Sequence, residues 1–136
     1  MSTEHTVKPE EHVDHIVRDH AEINELVRQL RAATDRGDHA TMKSLLIGLE
    51  MLEAKHYARE DALMRAVGYA QADAHRAEHA KMLATLKSIN ETLVWESMGA
   101  ISPQIVAHIE AAVAHMMHAD EALNRAVAAK GRPVGG

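Results

Sequence analysis

Two pairs of residues in the middle of the chain are spaced to hold a metal ion. His56 and Glu60 stand four residues apart, and so do His75 and His79. On a helix each pair shares one face and aims two ligand atoms at one point. Gly68-Tyr69 lies between the pairs and reads as a tight turn. Two helices joined there can bring four ligands together from facing walls. Imidazole and carboxylate donors without sulfur suit iron, manganese or zinc. The chain carries 11 His among 136 residues, more than a charged surface requires, and it has no Cys. That excludes a disulfide framework, a thiolate nucleophile and an iron–sulfur cluster.

The elements that must position these pairs are helical. Apolar residues make up 46% of the chain, with no Phe, one Trp (Trp95) and two Tyr (Tyr57 and Tyr69). Ala, Leu, Met, Glu and Arg favour helix, and β-branched or aromatic strand runs are missing. Pro9 suits a first helical position, and Ile16, His20, Ile23, Val27 and Leu30 then form one stripe ending at Gly37. Asp38 caps a second helix whose stripe is Leu45, Leu49, Leu52, His56, Glu60, Leu63 and Val67, stopped by Gly68.

A third helix is expected from near Ala70 to Gly99, carrying His75, His79, Met82, Leu86, Ile89 and Leu93. Ser102-Pro103 reads as a cap and first-turn proline for the fourth, with Ile105, His108, Ala112, His115, Ala119 and Leu123 on its stripe up to Gly131. The sum is an all-α, up-down-up-down antiparallel four-helix bundle over residues 9–131. A flexible arm is expected at 1–8 and a flexible tail at 132–136.

Depth along antiparallel helices can be counted from the turns. At about 1.5 Å per residue, His20, His56, Glu60, His75, His79, His115 and Asp120 fall in a slab about two turns thick. A single histidine on an apolar stripe is ordinarily a hydrogen-bonded core residue; seven polar groups at one level are not so explained. His115 and Asp120 are five apart, which offsets them by about 140° on an α-helix. A carboxylate bridging two metals could use such an offset. Five neutral imidazoles and two carboxylates carry a charge that two divalent cations would offset. Glu53-x-x-His56 has the form used in ferritin-like sites but no second copy, and Glu53 is expected on the solvent side.

The other histidines separate by position. His108, on the stripe seven residues before His115, is either a hydrogen-bonded residue near the bundle's end or part of an access route. His118 is expected beside the ligands or at the surface, and Tyr57 is expected to pack rather than ligate.

This constellation resembles the hemerythrin-like (HHE cation-binding) domain family in its bacterial single-domain form. The resemblance runs from about Val13 to Leu123. It rests on Asp19-His20, His56-x-x-x-Glu60, Leu63-Met64 followed by Gly68-Tyr69, His75-x-x-x-His79 and His115-x-x-x-x-Asp120. The resemblance implies two iron ions with a bridging oxo or hydroxo group. His75, His79 and His115 would hold one iron and His20 and His56 the other, with Glu60 and Asp120 as bridges. The second iron would keep an open position for O2, in a pocket walled by Ile23, Ala111, Ala112 and Met116. Many oxygen-binding members carry Trp, Leu and Ile at the last three of these positions, so the pocket is expected to be enlarged.

The function implied is reversible O2 binding for storage, delivery or sensing. The alternatives are a di-iron enzyme turning over peroxide, nitric oxide or O2, and a metal-storage or interaction bundle without redox chemistry. A net charge of −5 speaks against a nucleic-acid partner. No apolar run approaches membrane-spanning length and no basic-then-apolar leader opens the chain, so a cytoplasmic monomer or weak homo-oligomer is expected.

Overall fold

A computed structural model describes residues 9–93 and 98–131. The arm, the tail and Trp95 lie outside the described residues. The elements are α1 (Pro9–Arg36), α2 (His39–Val67), α3 (Ala72–Thr92), α4 (Met98–His115), a π-helical turn (Met116–Asp120) and α5 (Glu121–Gly131). The last three run on without a break as one rod, so four antiparallel rods form the bundle. No strand is present among the described residues.

Local chemistry accounts for the two sharpest turns. Gly37 and Gly68 both adopt positive φ, at 67° and 61°, a region that costs glycine nothing. Asp38 accepts from the Thr41 N–H over 3.2 Å and from the Thr41 hydroxyl over 2.7 Å, which caps α2. Gly68 donates its N–H to the Met64 carbonyl, closing the other end of α2 above the site.

The boundary between the third and fourth rods differs from expectation. Helix α3 stops at Thr92 and Gly99 lies inside α4, whose proline falls in the second turn instead of the first. Pro103 lies five residues into α4, so the one carbonyl that loses its partner belongs to Gly99 in the opening turn. Glycine inside a helix costs only about 1 kcal/mol, so neither residue is an obligatory boundary.

The core is divided. Ile23, Val27, Leu30, Ala33, Met42, Leu46, Leu49, Leu86, Ile89, Ile105 and Ile109 form one apolar cluster. Ile16, Leu63, Met64, Leu123 and Val127 form a second. On every rod that contributes to both, the polar residues lie between: His20 after Ile16, His56 and Glu60 before Leu63, His115 and Asp120 before Leu123. A polar layer therefore crosses the middle of the bundle, with oil above and below it.

The buried face of α2 is rotated from the expected stripe. Leu46, Leu49, Glu53, His56, Tyr57 and Glu60 are buried, whereas Leu45, Leu52 and Val67 are only partly so. Glu53, expected towards solvent, is wholly buried. It is tolerated there because His108 of α4 and Tyr57 of α2 both bond to its carboxylate.

Candidate metal centre

All seven expected ligands meet in the polar layer. His56, Glu60, His75, His79, His115 and Asp120 are buried, and the His20 side chain is 19% exposed. They form two overlapping groups whose ligand atoms lie within 4.8 Å of one another: Glu60, His75, His79, His115 and Asp120 in one, and His20, His56, Glu60 and Asp120 in the other.

The two carboxylates divide their oxygens between the groups. Glu60 Oε1 is 2.9 Å from His79 Nε2 and 3.1 Å from His75 Nε2, while Oε2 is 3.4 Å from His56 Nε2. Asp120 Oδ1 is 2.8 Å from His115 Nε2 and 3.1 Å from His75 Nε2, while Oδ2 is 2.8 Å from His20 Nε2. Within each group the imidazoles also meet nitrogen to nitrogen, His79 with His115 and His20 with His56, both at 3.1 Å. Separations near 3 Å are those of adjacent donors around one ion held at about 2.1 Å.

The π-helical turn supplies the register. On a regular α-helix His115 and Asp120 would point apart. A turn closing i to i+5 takes up one extra residue, and such turns cluster at functional sites. Both side chains consequently reach the layer, with Asp120 Oδ1 on His115 Nε2. The turn reduces the offset of about 140° expected between them.

The donors fit a metal better than they fit each other. Glu60 Oε2 and Asp120 Oδ1 are buried without a hydrogen bond, although ring nitrogens stand close to both. Those contacts are short but misaligned, as expected when the lone pairs of both partners aim at a third point. Leaving a buried charged oxygen unsatisfied is costly, and divalent cations relieve the cost.

Further carboxylates orient the rings from outside. His56 Nδ1–H donates to Asp19 Oδ2 over 3.3 Å, and Arg59 donates to Asp19 Oδ1 over 2.9 Å. His115 Nδ1–H donates to Glu78 Oε1 over 2.7 Å. Asp61 Oδ1 stands 3.4 Å from His79 Nδ1. The bonds from Asp19 and Glu78 fix the His56 and His115 rings so that Nε2 faces the centre of the layer, and such bonds raise the basicity of a ligating imidazole; Asp61 and His79 make no hydrogen bond to each other. Spacing along one helix does not single out Arg59, Asp61 or Glu78. Arg59 and Asp61 flank Glu60 and Glu78 precedes His79 in sequence, and that adjacency is the one signal that could have found them.

The remaining candidates are placed as follows. Ile23 and Ala112 are buried, and half-buried Met116 packs against the apolar cluster containing Ile23. Ala111 is exposed and lines a cleft between α3 and α4 together with His108, Glu78 and Met82. His118 is exposed. His108 is buried on Glu53.

Protons hold the layer together when metal does not. Burial disfavours the charged form of His56, but Asp120 and Glu60 outweigh it and push its pKa from 6.5 up to about 10. The same balance pushes His75 up to about 9. His115 is also raised, by Asp120 and Glu78 against burial. Glu60 goes the other way: burial works to raise it, but His56, His75 and His79 bring it down to about 2. Burial likewise opposes ionisation of Asp120, yet His115 and three other imidazoles hold it well below the usual carboxylate range.

A pH dependence follows from these signs. The raised histidines stabilise the metal-free fold fully below pH 6.5, and that contribution is lost as pH rises through 9 to 10. The lowered Glu60 contributes above its ordinary value of 4.5 and loses that contribution as pH falls towards 2. Metal needs neutral imidazoles, so it displaces protons and binds more tightly as pH rises. Thermal melts are expected to show the metal-free protein losing stability from about pH 6.5 to 9.5 while the gain on adding metal widens. A gain that does not change with pH would contradict the assignment of protons to His56 and His75.

The fold and the layer define a histidine-rich cation-binding bundle. The family model described as the hemerythrin HHE cation binding domain matches residues 11–127, and the chain belongs to that family. Neither the curated proteins nor the solved structures gave a match to the chain. No helix among the described residues is long and apolar enough to cross a membrane.

Proposed function

We propose that the chain holds two iron ions, joined by an oxo or hydroxo group, and binds O2 reversibly for storage, delivery or sensing. The observation that carries this reading is the division of the Glu60 and Asp120 oxygens between two histidine groups. His75, His79 and His115 would hold one ion and His20 and His56 the other, with Glu60 and Asp120 offering an oxygen to each group. Bound iron supplies reversible redox chemistry and, at the ion with two histidines, room for a small ligand.

The chain's own residues do the rest. His20 is the one partly exposed ligand, so the small ligand is assigned to its side of the layer. Ile23 and Ala112, with Met116 beside His115, limit the water that reaches that side. Ala111 is assigned to the approach instead of the wall, because it is exposed in the α3–α4 cleft. The carboxylates behind His56 and His115 keep those rings in place through a change of metal charge.

Absorption spectra of the ferrous protein are the test. Admitting O2 is expected to raise a visible charge-transfer band that vanishes on removing O2 and returns over repeated cycles. Immediate, irreversible oxidation without such a band would contradict carriage and favour an enzyme on the same site. The buried Glu53–His108 pair, which opens onto the α3–α4 cleft, supports that second reading.

A further inference from the structure

Glu53, Tyr57 and His108 form a buried line outside the seven ligands. The Tyr57 hydroxyl donates to Glu53 Oε1 over 2.8 Å, and the His108 Nε2–H donates to Glu53 Oε2 over 2.8 Å. All three residues are buried. At its inner end the line meets the ligands: the Tyr57 ring stacks on His79 with centroids 4.2 Å apart and planes 13° from parallel. Its edge also faces His115 at 6.1 Å. At its outer end His108 lines the α3–α4 cleft, a space of about 400 Å³ walled by Ala107, Ala111, Ala114 and Met82 together with the polar Glu78, Lys81 and Thr85. Packing alone would be served by apolar side chains, without the cost of burying a hydroxyl, a carboxylate and an imidazole.

We propose that Tyr57 relays single electrons to the metal layer from a small phenol bound in the α3–α4 cleft, giving the protein a peroxidase activity. The inference rests on the two-iron reading above. Its oxidant is hydrogen peroxide, and the balance is one peroxide and two phenols giving two waters and two phenoxyl radicals. In each half-cycle Tyr57 gives one electron towards the layer through the stacked His79 ring. Its O–H bond breaks as it does so, and the proton passes to Glu53 Oε1, already in place as acceptor. A phenol beside His108 then returns one electron to Tyr57, and Glu53 returns the proton. The phenol's own proton leaves to solvent and matches the one consumed when peroxide becomes water. A phenol suits the site because it is flat, largely apolar and gives up a proton with its electron. The cleft is of the size that holds small ligands.

Tyr69 provides an internal control. It lies edge-on to His75 at 6.4 Å but has no hydrogen bond to a carboxylate among the described residues. The experiment mixes the full iron-loaded chain with hydrogen peroxide, freezes it and records electron paramagnetic resonance, using protein with ring-deuterated tyrosine to identify the radical. The wild type and Tyr69→Phe are expected to give a tyrosyl signal. Tyr57→Phe is expected to lose it with iron content intact, and so is Glu53→Gln, which keeps the shape but not the base. Added 4-methoxyphenol is expected to shorten the radical's lifetime, and Ala107→Trp, which fills the cleft, to abolish that shortening. A signal that persists in Tyr57→Phe, or none in wild type carrying two irons, would overturn the relay and leave the metal reading standing. Quenching that survives Ala107→Trp would overturn the donor site. A chain that takes up no iron pair would overturn both readings together.

Discussion

Glu60→Ala is expected to lower bound iron from two ions per chain to at most one, with a large fall in melting temperature. Glu60 belongs to both ligand groups, so its removal takes a donor from each ion at once. At free metal a thousandfold above Kd, each site adds about 4 kcal/mol to the folded state. With roughly 3 °C per kcal/mol for a domain of this size, losing both would lower Tm by about 25 °C. In the metal-free state the same substitution also leaves His56, His75 and His79 without a carboxylate they share. Iron analysis and a thermal melt on the same sample check the prediction. A variant with two ions and an unchanged Tm would remove Glu60 as a bridge.

Glu53→Ala is expected to be the most damaging change outside the ligands. It leaves the His108 ring nitrogen and the Tyr57 hydroxyl buried without their partner, and breaking one side of a buried polar pair costs about 3–5 kcal/mol. At roughly 3 °C per kcal/mol, the melting temperature should fall by about 10–15 °C. Adding His108→Leu is expected to restore part of the loss, since the ring nitrogen is then no longer stranded and only the Tyr57 hydroxyl still lacks its partner. Additive losses in the double variant would mean that Glu53 and His108 are not energetically coupled.

The contrast between these two glutamates shows what the sequence made legible. Glu60 announces itself because His56 lies four residues before it and because five other ligand positions count to the same depth. Glu53 has no such local signal. A carboxylate beside an apolar stripe reads as solvated; its near partner Tyr57 forms no ligand pattern with it, and its other partner His108 lies 55 residues away on another rod. Burial of Glu53 depends on a partner from another rod as well as on one from its own helix.

The helix ends divide in the same way. Gly37, Asp38 and Gly68 act through their own backbone or their own side chain, and all three mark the ends of helices in the structure. Thr92 carries no such mark, while Gly99 and Pro103 look like punctuation but are absorbed into α4. The π-helical turn was the least visible feature. Nothing in Met116–Asp120 as a composition asks for it, and the five-residue step from His115 to Asp120 is its sole trace. Side chains drawn to a shared site select the register, so the turn belongs to the layer more than to the helix.

Two groups of ligands that share Glu60 and Asp120 should hold two ions in one chain. Anaerobic titration of the metal-free protein with ferrous iron, followed by removal of loose metal and iron analysis, tests it most directly. Two ions retained per chain are expected. Retention of one ion or none would contradict it.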